Sequence, residues 1–383
     1  MIGVIADDLT GAAEIGAVGL RHGLCAEIVR HGRPGNGADL VCVDTDSRAC
    51  DPAEAAKRAA AAAKLLRAAG ARWIYKKVDS VLRGQVTAEL EAVMKQLKLL
   101  RALLLPANPS LGRTIKDGHY FLRGRPIHKT EFARDPHFPR RSSQVLRLVK
   151  IPETFAMRVM NGDRLLMDGT ILIGDAETSA DVHSWTSSFD ARMLPAGGSE
   201  FFNALLEVEN PAAENGHGEG WKNAPGREFF VIGTSTQAAR KFVVTARQRK
   251  TPVLSLPQEL AWGAEFTPAA VEAVSQRVIG AFAAHDRVIL NVGLPPVRDA
   301  QVAQRLSHQV VCVAQRVLRQ VPVARIFAEG GATAAELVRC MDWARLEVVR
   351  ELAPGVATLA VNAERSILLT IKPGSYSWPA KWT

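Results

Sequence analysis

Short apolar runs alternate with amphipathic stretches through the first half of the chain. Stretches between these runs have helical spacing, as in 52–70, where Pro52 suits the first turn of a helix and Gly70 suits its end. Such alternation predicts helices packed on a largely parallel sheet. The apolar runs that we predict as strands are 1–5, 26–30, 40–44, 73–78 and 101–105.

The second half of the chain repeats this pattern after an interruption. Segment 207–227 is rich in Gly, Asn, Pro and acidic residues, as interdomain linkers are. After it, apolar runs alternate with helical patterns near 268–284 and 299–320. A chain of 383 residues exceeds the usual size of one core. We predict two α/β domains, 1–222 and 223–383, with largely parallel sheets and an active site in the interdomain cleft.

Composition narrows the class of partner. Lys and Arg number 48 against 39 Asp and Glu, which gives a net charge of +9, but the basic residues are dispersed. A solvated basic surface or an acidic small substrate accounts for this better than nucleic acid does. Five scattered cysteines without a Cys-x-x-Cys pair favour a reducing cytosol. No secretory signal or apolar stretch of about 20 residues is visible, so we expect a cytoplasmic protein without membrane or nucleic-acid partners. The oligomeric state stays open.

Two acidic turns carry the candidate chemistry of the first domain. Asp7 and Asp8 follow the first predicted strand, and Asp79 follows the fourth, each directly before a helical pattern. Turns at the carboxyl ends of parallel strands gather at one edge of a sheet, so both can face one pocket. One reading is that one of Asp7 and Asp8 caps the helix that begins near Gly11 while the other faces solvent. Alternatively, Asp8 or Asp79 accepts the proton of a substrate hydroxyl as a catalytic base, and the sequence does not choose between them.

Basic residues surround the second acidic turn. Lys76, Lys77 and Arg83 are either surface charges or clamps for a substrate carboxylate, and Arg83 suits a bidentate clamp. Period-two alternation places Lys76 and Lys77 on opposite faces of their strand. We therefore expect at most one of these two lysines to face a pocket.

The second domain contains two turns of small and hydroxyl residues before helices, GTST at 233–236 and GGAT at 330–333. Free backbone N–H groups at a helix start attract phosphate, and glycine lets phosphate approach closely. Helix capping alone also explains either turn. Neither a Walker sequence nor a dinucleotide fingerprint is present, and the histidines lack metal-ligand spacing, so we predict no protein metal ligands.

An ordered set of motifs resembles the four-carbon acid sugar kinase family. The set comprises ADDLTGA, KKVDSVLRG, PANPSLGRTIKDGHY, TEFARDP, GTST, GGATA, LAPGV and KPGS, and it spans nearly the whole chain. The resemblance implies a sugar-acid domain followed by a nucleotide domain. Carried over by motif, the acid-sugar residues are Asp8, Asp79, Ser80 and Arg83, with Asp7, Lys76 and Lys77 beside them, and the nucleotide residues are Gly233, Ser235, Gly330, Gly331 and Gly374.

The resemblance further implies a reaction. An ATP-dependent enzyme with Mg²⁺ would phosphorylate the terminal hydroxyl of threonate, erythronate or an oxo-tetronate. Two other classes stay open on the sequence. A non-catalytic sensor would bind the sugar acid without ATP, and an oxidoreductase would bind a nucleotide cofactor, although the missing dinucleotide fingerprint counts against it.

Overall fold

The computed structural model describes residues 1–135, 138–150, 156–160, 169–209, 226–262, 265–294, 299–362, 367–374 and 378. The chain divides into two compact units, Met1–His217 and Gly218–Thr383. The domain boundary predicted between residues 222 and 223 lies in 210–225, outside the described residues.

Strands and helices alternate through the first unit, as the apolar pattern predicts. Its strands are β1 Ile2–Ala6, β2 Ala26–Val29, β3 Leu40–Asp44, β4 Ile74–Lys77, β5 Arg101–Leu105, β6 Arg113–Lys116, β7 His119–Leu122, β8 Arg125–Pro126, β9 Ala156–Met160, β10 Thr170–Gly174 and β11 Met193–Gly197. Its α-helices are α1 Leu9–Arg21, α2 Pro52–Ala68, α3 Val86–Leu97, α4 Val145–Leu148, α5 Ser179–Ser184 and α6 Ser199–Glu209.

The main sheet of the first unit is parallel, in the order β2-β3-β1-β4-β11-β5-β10-β9. Strand β1 lies between β3 and β4, with Ala6 opposite Asp44 on one side and Lys77 on the other. Helix α1 packs with α6, and α2 packs with α3. The five strands predicted in this half begin and end within one residue of the observed bounds.

Segment 106–141 is rich in Pro, Gly, Arg and His, a composition typical of a long loop, but it contains regular structure. Strands β6, β7 and β8 form a separate antiparallel sheet of three strands. Its turns use residues with positive φ, including Gly118 at 69° and Gly124 at 71°. The sequence interpretation missed these strands because each is four residues or shorter and interrupted by turn residues.

Seven strands and four α-helices are described in the second unit. The strands are β12 Glu228–Ile232, β13 Val253–Ser255, β14 Arg287–Asn291, β15 Arg325–Glu329, β16 Arg345–Ala353, β17 Val356–Val361 and β18 Leu368–Lys372. The helices are α7 Gln237–Gln248, α8 Pro268–Ala284, α9 Ala300–Leu318 and α10 Gly331–Cys340. Helix α8 has the bounds that the pattern near 268–284 predicts.

The sheet of the second unit runs β13-β14-β12-β15-β18-β17-β16. Pairings from β13 to β18 are parallel, and β18, β17 and β16 pair antiparallel. Phe230 and Phe327 stack at 4.3 Å between ring centroids, and Trp378 packs edge-on against both. The prediction of an α/β fold with largely parallel sheets is confirmed. Among the described residues, no helix has the length and apolar content needed to cross a bilayer.

Candidate functional site

Three neighbouring strands of the first unit end in polar turns. β3, β1 and β4 are adjacent and parallel, so their carboxyl ends meet at one edge of the sheet. Asp7 and Asp8 follow β1, Arg48 lies four residues after β3, and Asp79 lies two residues after β4. Strand order therefore brings together the two acidic turns that the sequence analysis selected.

Arg48 is the residue that joins these turns. Its Nε and Nη2 donate to the two carboxylate oxygens of Asp7 at 2.7 and 2.9 Å. Its Nη1 donates to Asp8 at 2.6 Å and lies 3.6 Å from a carboxylate oxygen of Asp79. One guanidinium thus lies between three carboxylates, and their charges raise the pKa of Arg48 against the effect of burial.

Asp8 is the N-cap of α1. Its Oδ1 accepts a hydrogen bond from the backbone N–H of Gly11 at 2.8 Å, which satisfies one of the free donors of the first turn. A Cβ at position 11 would lie 2.9 Å from that oxygen, so glycine makes room for the cap. Asp8 therefore caps its helix, as one alternative predicts, but its other carboxylate oxygen binds Arg48, and Asp7 is buried rather than solvent-facing.

The two neighbouring aspartates differ in their ionisation. Burial raises the pKa of Asp8 above its ordinary value, although the charge of Arg48 opposes it. Burial would also raise the pKa of Asp7, but the charge and hydrogen bonds of Arg48 outweigh it and lower that pKa. Asp8 is the more exposed, with 21% of its side chain accessible against 3% for Asp7. A half-buried carboxylate with a raised pKa suits proton transfer better than a fully buried one with a lowered pKa.

Asp79 is bound on both carboxylate oxygens. Arg83 donates to them from Nε at 3.0 Å and from Nη2 at 2.8 Å. The backbone N–H groups of Val81 and Arg83 add two further bonds. Burial opposes ionisation, but the charges of Arg83 and Arg48 prevail and hold the pKa of Asp79 well below its ordinary value. Asp79 is a fixed anion with few free acceptor sites.

Lys76 and Lys77 are both buried, on opposite faces of β4. The ammonium group of Lys76 lies 2.9 Å from Glu89 of α3. The ammonium group of Lys77 lies 3.1 Å from Glu14 of α1. The expected alternation of faces holds, and each lysine has a carboxylate partner within the protein. Substrate contact by either lysine stays a prediction.

Segment 106–141 lies against the turn after β4. The hydroxyl of Tyr120 donates to the backbone carbonyl of Ser80, the predicted acid-sugar residue. Arg140 is buried and donates to the carbonyl of Leu82 at 3.1 Å. Asp135 lies 3.4 Å from the Nη1 of Arg83. The segment therefore supplies one anion and one cation beside the acidic turn.

Strands β12, β15 and β18 of the second unit are adjacent and parallel, so the turns that follow them lie at one edge of the sheet. Backbone and hydroxyl bonds link these turns. The N–H of Gly233 donates to the carbonyl of Glu329 at 3.2 Å, and the N–H of Gly330 donates to the carbonyl of Lys372 at 2.9 Å. The hydroxyl of Thr236 donates to the carbonyl of Gly374 at 3.0 Å. The predicted nucleotide turns are therefore in contact with one another.

Two of these glycines have structural requirements of their own. A Cβ at Gly233 would lie 1.9 Å from the hydroxyl oxygen of Thr333, so no larger residue fits without displacement. Gly330 has φ of 105° and is the N-cap of α10, with Gly331 as the first helical residue. Thr236 caps α7 by accepting from Ala239 at 3.2 Å, and the half-buried Ser235 precedes it. The chain starts α7 and α10 beside each other with little side-chain bulk.

A buried ion pair underlies the glycine turns. The ammonium of Lys372, at the end of β18, lies 3.1 Å from the carboxylate of Glu329, at the end of β15. Trp378 donates its indole N–H to the other oxygen of Glu329 at 2.7 Å. Burial raises the pKa of Glu329 and lowers that of Lys372. Within the described residues, no group of three or more His, Cys, Asp or Glu is arranged to hold a metal ion.

Sequence reasoning missed Arg48, Glu89, Glu329 and Lys372. Arg48 had a readable signal, because DTDSR follows the third predicted strand just as ADDLTG follows the first. Glu89 and Glu329 stand in helical and strand patterns without any local mark of their partners. Only the packed structure pairs Glu89 with Lys76, 13 residues before it, and Glu329 with Lys372, 43 residues after it.

Comparisons with known sequences match both halves of the chain. Residues 2–205 match the family described as "Sugar-binding N-terminal domain". Residues 229–376 match the family described as "Nucleotide-binding C-terminal domain". The two matches divide the chain as the two compact units do.

Named relatives and a solved structure extend over most of the chain. The D-threonate kinase of Cupriavidus necator is 30% identical over 382 residues, covering 92% of this chain and 88% of the relative. The D-erythronate kinase of Heliobacterium modesticaldum is 24% identical over 406 residues, with the same coverage. A crystal structure of a Salmonella typhimurium LT2 protein has a TM-score of 0.82 at 20% identity, covering 100% of this chain and 97% of that one. That structure supports the fold alone.

Proposed function

This chain belongs to the family with a sugar-binding amino-terminal domain and a nucleotide-binding carboxyl-terminal domain, and we propose that it is an ATP-dependent kinase of a four-carbon sugar acid. The predicted membership of the four-carbon acid sugar kinase family is confirmed. We propose threonate, erythronate or an oxo-tetronate as acceptor, phosphorylated on its terminal hydroxyl.

One observation carries the proposal. In the first unit, three adjacent parallel strands end in the cluster that Arg48 forms with Asp7, Asp8 and Asp79. Carboxylates accept hydrogen bonds from hydroxyls, and arginine binds carboxylates. The cluster supplies the acceptors, and Arg83 and Arg140 near Asp79 supply the cations that a hydroxy acid requires. The second unit presents helix starts and glycine turns, which suit phosphate.

We assign the catalytic base to Asp8. The transfer breaks the bond between the γ-phosphorus and the β,γ-bridging oxygen of ATP, and ADP leaves. The bond between that phosphorus and the acceptor oxygen forms, and Asp8 takes the hydroxyl proton. A raised pKa and a side chain that is 21% accessible, against 3% for Asp7, support Asp8 in this role. The bidentate Arg83 and the two backbone bonds argue against Asp79.

The acid carboxylate is assigned to Arg83 in the turn after β4 and to Arg140 in segment 106–141. Arg83 uses Nε and Nη2 for Asp79, and its Nη1 faces Asp135. Arg140 lies close enough to Asp79, Asp135 and Arg83 for their charges to affect its pKa, which burial lowers. A substrate carboxylate beside Arg83 and Arg140 would receive two guanidinium groups.

The nucleotide is assigned to the turns of the second unit. Backbone N–H groups at the starts of α7 and α10 would bind its phosphates, beside Gly233, Ser235, Gly330, Gly331 and Gly374. Mg²⁺ would neutralise phosphate charge. Glu329 is the carboxylate at these turns, and Lys372 and Trp378 already bind both of its oxygens. The residues present therefore fit a Mg²⁺ ion held by the phosphates and water, which is how proteins commonly bind it.

A coupled assay of ATP consumption over four-carbon sugar acids and their oxo derivatives tests the proposal. We expect turnover with at least one tetronate in the presence of Mg²⁺, and product phosphorylated on the terminal oxygen, as read by ³¹P NMR. Acid binding by calorimetry without ATP binding or turnover would identify a sensor instead. Nicotinamide reduction with a sugar acid would identify an oxidoreductase.

A further inference from the structure

A chain of buried polar side chains runs behind the acidic cluster of the first unit. It consists of Lys76 on β4, Glu89 on α3 and Ser47 in the loop after β3. Their exposed fractions are 0%, 2% and 0%. Lys76 lies 2.9 Å from one oxygen of Glu89, and the hydroxyl of Ser47 donates to the other. Both oxygens of Glu89 are therefore occupied inside the protein.

The chain ends at the loop that carries Arg48. The hydroxyl of Ser47 also lies 2.7 Å from that of Thr45, which donates to the carbonyl of Ala6 at 2.9 Å. The backbone N–H groups of Ser47 and Arg48 both donate to the carbonyl of Asp7, at 3.0 and 3.2 Å. One side of the loop is thus held by Glu89, and its other side presents Arg48 to the carboxylates.

Stability alone does not explain the buried ion pair between Lys76 and Glu89. Taking a lysine and a glutamate out of water costs several kcal/mol each, and well-packed apolar residues often replace such pairs without loss. The pair instead fixes the orientation of Glu89, because Lys76 and Ser47 bind its two carboxylate oxygens and together allow one geometry. Lys76 also acts on the cluster by charge, since its positive charge lowers the pKa of Asp7.

From these contacts we infer that Lys76, Glu89 and Ser47 are positioning residues that hold Arg48 between the three carboxylates. This inference rests on the proposed function, because it assigns them to the reaction through Asp8. It replaces the predicted substrate contact of Lys76 with a role behind the site. Loosening the loop weakens the contact between Arg48 and Asp8, and the pKa of Asp8 then rises further.

Ser47→Ala is the principal test, because it removes one hydroxyl and leaves Lys76 and Glu89 paired. We expect kcat/KM for the tetronate to fall about 10- to 100-fold, the scale of a slightly misplaced catalytic group. The acidic limb of the pH profile should move to higher pH. Carboxyl ¹³C NMR of labelled aspartate, assigned with Asp8→Asn, should show the same upward movement in the titration of Asp8.

Thr87→Val is the matched control. Thr87 lies on α3, two residues from Glu89, and is 4% exposed. Its hydroxyl donates to the backbone carbonyl of Val149 and not to Glu89 or Ser47. The variant Thr87→Val should leave kcat/KM and the titration of Asp8 at their wild-type values. An equal effect of Ser47→Ala and Thr87→Val on both would overturn the inference, since it would show general damage to this part of the core.

The double variant Lys76→Met with Glu89→Gln separates position from charge. The amide introduced by Glu89→Gln still offers an oxygen to Ser47, so we expect a smaller loss of kcat/KM than in Ser47→Ala. An unchanged Asp8 titration in Ser47→Ala contradicts the positioning role, and so does a wild-type kcat/KM in the double variant. If the wild-type protein phosphorylates no tetronate, the proposed function fails, while the Asp8 titration still decides whether these residues position Arg48.

Discussion

The two units place their candidate sites at the same kind of location but build them from different groups. In each, three adjacent parallel strands end together, β3, β1 and β4 in the first unit and β12, β15 and β18 in the second. The first site consists of charged side chains joined by Arg48, and the second consists of glycine and threonine turns joined by backbone bonds. A shared topology thus supports two kinds of recognition.

The difference follows from the proposed ligands. A hydroxy acid needs side-chain acceptors for hydroxyls and cations for its carboxylate, and these must be fixed against one another. Phosphates are bound well by backbone N–H groups, which need close approach and therefore small residues. The first site should consequently respond to changes of charge, and the second to changes of volume.

The largest effect is expected at Asp8 in the charged site. Asp8→Asn keeps the helix cap, because asparagine is an equally good N-cap, but removes the proposed base. We expect kcat to fall about 100- to 10,000-fold with little change in KM. In the wild type, kcat should fall as the pH drops through the raised pKa of Asp8, and steady-state kinetics against pH measures this limb.

Asp79→Asn is the comparison variant for Asp8. It weakens the bidentate pair with Arg83, so we expect lower stability and a higher KM, with a smaller loss of kcat. Because the folded-state pKa of Asp79 is lowered, its contribution to stability is present above the unfolded pKa and is lost on acidification. Equal losses of kcat in the two variants would refute the choice of Asp8.

The next effect is expected beneath the glycine turns of the second unit. Lys372→Met leaves Glu329 buried with only the indole of Trp378 still donating to its carboxylate among the contacts described above, and removing one member of a buried pair costs about 3–5 kcal/mol. Urea unfolding measures the change. The exposed Lys241→Met on α7 is the control, expected within about 0.5 kcal/mol of wild type. Adding Glu329→Gln to Lys372→Met should recover part of the loss, and no recovery would argue against an uncompensated charge.

The smallest effect is expected from added volume. Gly233→Ala would place a Cβ 1.9 Å from Thr333, so we expect about 1–3 kcal/mol of destabilisation and weaker ATP binding, with acid binding unchanged. Gly280→Ala in α8 meets no atom within 4 Å and should stabilise the protein by about 0.5–1 kcal/mol. Titration calorimetry with ATP and with the acid measures the ligand affinities of both variants, and urea unfolding measures their stability. Unchanged ATP affinity in Gly233→Ala would contradict a phosphate site at this turn.

Local pattern was sufficient for strands β1 to β5 and for most long helices. The apolar runs of β1 to β5 and the capped pattern of α8 read correctly, because a buried strand or an amphipathic helix is visible within a few residues. The small sheet of β6 to β8 and the hairpin of β16 and β17 were not predicted. Their strands are short or turn-interrupted, and their pairing is set by neighbours, with Gly355 at φ of 75° in the hairpin turn.

The sequence by itself determined the family, the two α/β halves and the turns that carry Asp8, Asp79, Gly233 and Gly330, because motif order and hydrophobic period are local properties. Tertiary structure decided which charged side chains form ion pairs with one another. Strand order brought Arg48 to the carboxylates and Glu89 to Lys76, and the environment of each carboxylate then set its pKa. Burial and partner distance depend on the packed fold, so the proposed base and the proposed positioning residues could be selected only there.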